Sequence, residues 1–265
     1  MGFFINFHIK FRFMYSYFII LFSFLLFQTS QKDIECLNCN EMNSFSVLVI
    51  TETKGFVHRS AIRAGKELIT DIGIKNDFNV YHSKYSEVLT KENLVNFNTI
   101  IFLNTTSDIL NAVEQKVMED FIRSGKGFVG IHSAADTEYK WSWYGKLVGA
   151  YFKNHPPGTS TASIQTVNKN HLSTKHLEDT WDIRDEWYNF YDMNPDVNVL
   201  LNLDESTYFG GRHGKNHPIT WFHEYDGGRA FYTGLGHLAK TYSDERFIKL
   251  LEGGILYASL PEYEK

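Results

Sequence analysis

Cysteine is nearly absent from this chain of 265 residues: there are two, Cys36 and Cys39, both ahead of the first strand-like stretch. A disulfide framework is therefore excluded, and residues 45–265 offer no thiol for nucleophilic chemistry or zinc. One local bridge after export is the most the pair offers. Without a second pair or a βαβ context, Cys-Leu-Asn-Cys reads as linker. Neither charge dominates, since 26 basic and 31 acidic residues give −5, and −7 once Lys10 and Arg12 are removed with the leader described next. The lack of a basic surplus argues against a nucleic-acid partner. There is no internal repeat, no low-complexity tract and no second domain boundary. One apolar run stands out, residues 13–27, preceded by Lys10 and Arg12 and followed by polar residues 28–33. That layout predicts a signal peptide over 1–30, a linker over 31–44 and a single domain over 45–265. The run is shorter than the about 20 residues a spanning helix needs. A secreted or periplasmic protein without membrane contact after cleavage is expected, an uncleaved anchor being the alternative.

What is present is a regular alternation of strand and helix patterns. Residues 45–51, 78–82, 98–103 and 128–131 read as buried strands, and helices are expected over 60–72, from Thr90, from Asn111 to about 123, and over 143–150. Ser60 is a plausible N-cap, Val113, Val117, Phe121 and Ile122 lie at helical spacing, and Gly125 ends that helix. The alternation predicts an α/β fold, a three-layer sandwich around a mostly parallel sheet. Further strands are expected at 161–167 and 197–203, with 168–192 hard to assign and taken as an elaboration over the functional edge. Near the C-terminus, 219–225 and 229–233 form an antiparallel hairpin around Asp226-Gly-Gly228, with Tyr225 expected opposite Arg229. A helix over 244–258 closes the chain.

The stretch Gly125-Lys-Gly-Phe-Val-Gly-Ile-His-Ser-Ala-Ala-Asp136 is central, because it delivers His132 to the carboxyl end of an interior strand, where open α/β sheets bind ligands. Its glycines match a dinucleotide fingerprint by letters only, since they precede and enter the strand instead of opening a helix. Gly211-Arg-His-Gly-Lys215 fails as a phosphate loop, with Asn216 where Ser or Thr is required. His58, His132, His155, His217 and His237 all fall on loops at strand ends, with Asp136 and Glu186 as carboxylate candidates. Imidazole beside a carboxylate moves protons near neutral pH. Three imidazoles and a carboxylate also suit zinc or a similar divalent metal, although no local ligand spacing spells it out. Tyr139, Trp141, Trp143, Trp187, Tyr188 and Trp221 accompany these loops, and aromatic faces beside polar groups suit a sugar.

Several motifs together resemble the ThuA-like (trehalose utilisation) family: Thr53-Lys-Gly-Phe-Val-His-Arg-Ser60, Gly127-Phe-Val-Gly-Ile-His-Ser-Ala-Ala-Asp-Thr137, Leu147-Val-Gly-Ala-Tyr-Phe152 with His155-Pro156, Asp185-Glu-Trp-Tyr188, and His217-Pro-Ile-Thr-Trp221 through Gly234-Leu-Gly-His237. The resemblance covers about residues 46–259 and implies the fold of class I glutamine amidotransferases, flavodoxin-like in its layering. On that alignment His132 stands where those enzymes carry their cysteine on a tight elbow. His237 matches their base, but Leu238 and Ala239 follow it instead of Pro-Glu. The resemblance thus implies a protein that is not a glutamine amidotransferase and that serves carbohydrate catabolism. The expected reaction is isomerase-type conversion of a keto-sugar or keto-glycoside, with His132, His237, Glu186 and Asp136 catalytic. His58, Tyr139, His155, Trp187, His217 and Trp221 are expected to bind substrate. A non-catalytic carbohydrate-binding module and a metal-dependent hydrolase are the alternatives.

Overall fold

A computed structural model describes residues 34–36 and 45–260; the expected leader lies outside them. The elements run β1 (Glu35–Cys36), β2 (Ser46–Ile50), α1 (Arg59–Lys75), β3 (Asn79–Ser83), α2 (Lys91–Leu94), β4 (Thr99–Leu103), α3 (Ala112–Arg123), β5 (Gly127–Ile131), α4 (Ser142–Val148), β6 (Tyr151–Asn154), β7 (Ser160–Thr166), β8 (Thr180–Asp185), β9 (Asn189–Tyr191), β10 (Asn198–Leu203), β11 (His217–Tyr225), β12 (Gly228–Thr233) and α5 (Glu245–Ser259). Short 3-10 turns stand at Ser86–Val88, His132–Asp136 and Ala239–Ser243.

Ten strands form one mixed sheet in the order β1-β3-β2-β4-β5-β12-β11-β10-β7-β8, and β6 pairs with β9 in a separate antiparallel pair. Strands β3, β2, β4, β5 and β12 are parallel neighbours. Every residue of β4, β5 and β12 is buried, as expected of strands covered on both faces. On β5 the two faces are distinct. Phe128 meets Tyr144 of α4 edge-on, while a Cβ on Gly127 would stand 2.1 Å from the Ala258 carbonyl oxygen of α5.

Local chemistry explains most boundaries. Helix α3 opens on a reciprocal capping box, Asn111 accepting from the Val113 and Glu114 amides while Glu114 accepts from the Asn111 amide, and it stops at Ser124 before Gly125 with φ +88°. Val113, expected on the buried face, is 72% exposed, because the buried stripe starts at Glu114 and continues through Val117, Met118, Phe121 and Ile122. Helix α1 is capped two residues earlier than expected: His58, not Ser60, is the N-cap, with no side-chain capping bond.

The C-terminal hairpin pairs Tyr225 with Gly228, not Arg229. Asp226 and Gly227, with φ of 48° and 91°, make a two-residue turn of the kind whose twist suits antiparallel strands. The stretch 168–192 supplies β8 and β9, and within the expected linker Glu35 and Cys36 pair with His82 and Tyr81 at the sheet edge. Cys36 is disulfide-bonded; Cys39, the chain's only other cysteine, lies outside the described residues.

Candidate functional site

Strands β4, β5 and β12 end level, with Leu103 and Thr233 both opposite Ile131. The next residues, Asn104, His132 and Gly234, therefore share one rim. His132 adopts φ +50° there, a left-handed conformation uncommon for a non-glycine residue, which turns its side chain sharply off the strand. The ring is fully buried and fixed at both ends. Its Nδ1 donates to the Gly234 carbonyl at 2.8 Å, so in the neutral ring Nε2 carries the lone pair. The Tyr188 ring lies 4.3 Å away, centroid to centroid, and the His132 carbonyl accepts from the Tyr232 hydroxyl at 2.8 Å.

Two atoms meet in front of that nitrogen. His132 Nε2 is 3.3 Å from His237 Nδ1 and 3.5 Å from Glu186 Oε2, and His237 Nδ1 is 3.2 Å from the same oxygen. His58 stands edge-on to both imidazoles, 4.9 Å from each by centroids. One ligand atom from each of His58, His132, Glu186 and His237 lies within 4.8 Å of all the others. His155 joins from outside, its Nδ1 3.3 Å from Glu186 Oε1.

Electrostatics follow from this crowding. Burial, and then the charges of His132 and His237, pull the His58 pKa down to about 3, so His58 is neutral at pH 7. For Glu186 burial acts upward, but the hydrogen bonds and charges of His132 and His237 outweigh it and hold the carboxyl well below the usual carboxylate range. For His237 burial acts downward, and the hydrogen bond and charge of Glu186, helped by Asp185, more than reverse it.

The placement of His237 rests on a residue that the sequence reading left without a role. Asp185, fully buried at the end of β8, accepts from the amides of Gly236 at 2.8 Å, His237 at 3.1 Å and Leu238 at 3.1 Å and from the Thr241 hydroxyl at 2.9 Å. It also accepts from the Glu186 amide at 3.0 Å. One carboxylate thus sets the backbone of both His237 and Glu186. The signal for it was present in β8, where exposure alternates strictly and Asp185 falls on the buried face with Trp181 and Ile183.

The expected site residues divide into three groups. His58, His132, His155, Glu186 and His237 come together. Asp136 ends the 3-10 turn after His132 and accepts a hydrogen bond from Tyr139; burial raises its pKa, partly offset by that bond and by His132. Trp187, Trp221 and His217 stand elsewhere. The indole of Trp187 is buried and donates to the Ser160 carbonyl at 3.0 Å, and that of Trp221 donates to the Val148 carbonyl at 2.9 Å and stacks on Tyr232. Both are core. His217 is buried between the Tyr188 carbonyl and the Glu205 carboxylate, each 2.8 Å from a ring nitrogen, so it ties the 204–216 loop to β11 and does not reach His132. Phe56, which the sequence reading gave no role, is 66% exposed beside the cluster, its ring edge-on to His58 at 4.7 Å.

The model of the ThuA family, described as trehalose utilisation, matches residues 46–258, most of the chain and every residue of this site. The chain belongs to the ThuA family. Among solved structures it is similar to a ThuA-like protein from Bacteroides uniformis, with a TM-score of 0.71 at 22% identity over 84% of this chain and 94% of that one. A ThuA-like protein from Parabacteroides merdae follows at 0.65 and 17%, over 83% and 92%. A cytoplasmic protein from Salmonella typhimurium follows at 0.61 and 10%, over 82% and 100%. At these identities the likeness is one of fold. No curated protein matches the sequence. The turn that follows β5 is left-handed at His132.

Proposed function

We propose that this ThuA-family protein is a carbohydrate-active enzyme that moves protons on a keto-sugar or keto-glycoside, and that His58, His132, Glu186 and His237 hold one divalent cation. The observation that carries the metal reading is the triangle of His132 Nε2, His237 Nδ1 and Glu186 Oε2, with edges of 3.2–3.5 Å. A tetrahedral ion with bonds of about 2.0–2.1 Å separates its ligand atoms by roughly 3.3 Å. The donor set fits in chemistry as well. His132 has its tautomer fixed by a backbone carbonyl, as second-shell bonds fix metal-binding histidines; His58 is neutral, and Glu186 is ionised. Bound there, a cation would supply Lewis-acid polarisation of a sugar oxygen.

The chain's own residues do the rest. His132 is sealed from solvent and both its ring nitrogens are committed, so its role is to hold, not to carry protons to a substrate. His237, with its side chain 21% exposed, and His155, at 37%, form the open side of the cluster, where a sugar would enter past Phe56 and Tyr139. A metal-free reading, with His237 as acid beside Glu186, is favoured by one observation, the raised pKa of His237.

Metal analysis of the purified protein separates the two. One zinc or similar ion per chain, lost in His132→Ala and Glu186→Gln but kept in His217→Ala, is the expected result; a metal-free protein that still converts keto-disaccharides would establish the alternative. We further read the helix contacts on both sheet faces as a three-layer sandwich. The leader is read as an export signal, tested by finding the protein in the periplasm or medium.

A further inference from the structure

We propose that His155 is the general base of this site, the group whose Nε2 takes a proton from the carbon beside the sugar ketone. The inference rests on the keto-sugar reading above and assigns it a residue.

The argument turns on which nitrogen is free. His155 Nδ1 faces two acceptors, the Pro156 carbonyl at 2.7 Å and Glu186 Oε1 at 3.3 Å. A carbonyl oxygen only accepts, so Nδ1 carries the hydrogen and Nε2 carries the lone pair. No hydrogen-bond partner meets that lone pair among the described residues, and the side chain is 37% exposed. The other three imidazoles lack this combination, each having a nitrogen inside the cluster of facing ligand atoms. The ring of His155 is also held in place, since it stacks on Tyr188 at 6.2 Å and lies 5.8 Å from Phe152. A positioned imidazole with one nitrogen spent on a carbonyl, a carboxylate beside it at 3.3 Å and the other nitrogen open is the arrangement of a base whose cationic form is stabilised as it forms.

The step balances without an oxidant. Nε2 removes the proton from the carbon adjacent to the ketone, the electron pair of that C–H bond becomes the C=C bond of an enediolate, and the carbonyl π pair moves onto its oxygen. The hydroxyl on the deprotonated carbon passes its proton to that oxygen, and imidazolium His155 returns a proton to the former carbonyl carbon as the new C=O forms beside it, giving the isomer and the starting base. Glu186, whose other oxygen faces His132 and His237, links the base to the cluster.

The test uses the zinc-loaded protein in D2O with a keto-disaccharide made by oxidising one ring hydroxyl of trehalose, following deuterium incorporation beside the ketone by NMR. His155→Ala should slow exchange on the order of 10²- to 10⁴-fold with zinc content unchanged, and added imidazole should restore part of the rate. His155→Asn keeps a donor near the position of Nδ1 but has no Nε2, and should be as slow as the alanine variant. Exchange within about threefold of wild type in either variant, loss of zinc in either, or no rescue by imidazole would each overturn the proposal and leave the keto-sugar reading standing. Failure of the wild-type protein to exchange or convert the sugar would end that reading, and this assignment with it.

Discussion

His132 Nε2 and His237 Nδ1 lie 3.3 Å apart across 105 residues of chain. Two bare lone pairs at that distance repel, so a proton or a cation must stand between them. With His132 neutral and its ring hydrogen spent on Gly234, that proton belongs to His237, which also faces Glu186. A cation held by the cluster would displace that proton, and its affinity would therefore rise with pH, which isothermal titration with zinc at about pH 6 and pH 8 would read.

Asp185→Asn tests how His237 is held. The amide keeps one acceptor but turns a donor toward the backbone amides that now converge on the carboxylate. Stability should drop by about 2–4 kcal/mol, and zinc affinity by about 10- to 100-fold, read by urea denaturation and by isothermal titration. Unchanged affinity would mean that the 236–241 loop keeps its position without the charge.

Gly127→Ala should destabilise the fold by about 1–3 kcal/mol or more, because its Cβ would meet the Ala258 carbonyl oxygen at 2.1 Å. The glycine serves strand-to-helix packing, so Tm falls while NAD binding is absent in both proteins. A stable variant would show that α5 shifts away freely.

Acid should weaken the metal-free protein before its carboxylates titrate. Burial lowers the His171 pKa from 6.5 to about 4, so the unfolded chain binds a proton there that the folded chain refuses. The sign follows: stability is lost as pH falls from about 6.5, at about 1.4 kcal/mol per pH unit, until the folded pKa is passed. Urea denaturation of wild type and His171→Phe at pH 7 and pH 5 should give a difference that shifts against wild type on acidification. A pH-independent difference would show that His171 ionises without unfolding.

Trp187→Phe and Trp221→Phe each remove one buried donor, to the Ser160 and Val148 carbonyls. The expected cost is about 1–3 kcal/mol apiece, with zinc content and sugar binding untouched. A selective loss of sugar binding at full stability would return these indoles to the site.

Much of this protein was legible in advance where the information is local. Apolar strands bounded by Gly125, Asn104 and Asp136 announced β2 to β5, and the strand-end position of His132 marked the rim. Trp187 and Trp221 misled because an indole that stacks on a sugar and one that fills a core have the same composition signature; burial alone separates them. His217 reads as one more histidine at a strand end, but the pairing of β11 with β10 and the contacts of its ring with the Tyr188 carbonyl and Glu205 commit it to the core.

The sequence by itself determined the alternating α/β order, the family and the set of histidines available, because apolar periodicity and turn chemistry act over a few residues. Which of the eleven histidines meet was decided only in three dimensions. His58, His132, Glu186 and His237 come from four separate segments, and their atoms converge through level strand ends, the left-handed turn at residue 132 and one buried aspartate, none of which is expressed in the spacing of the ligands along the chain.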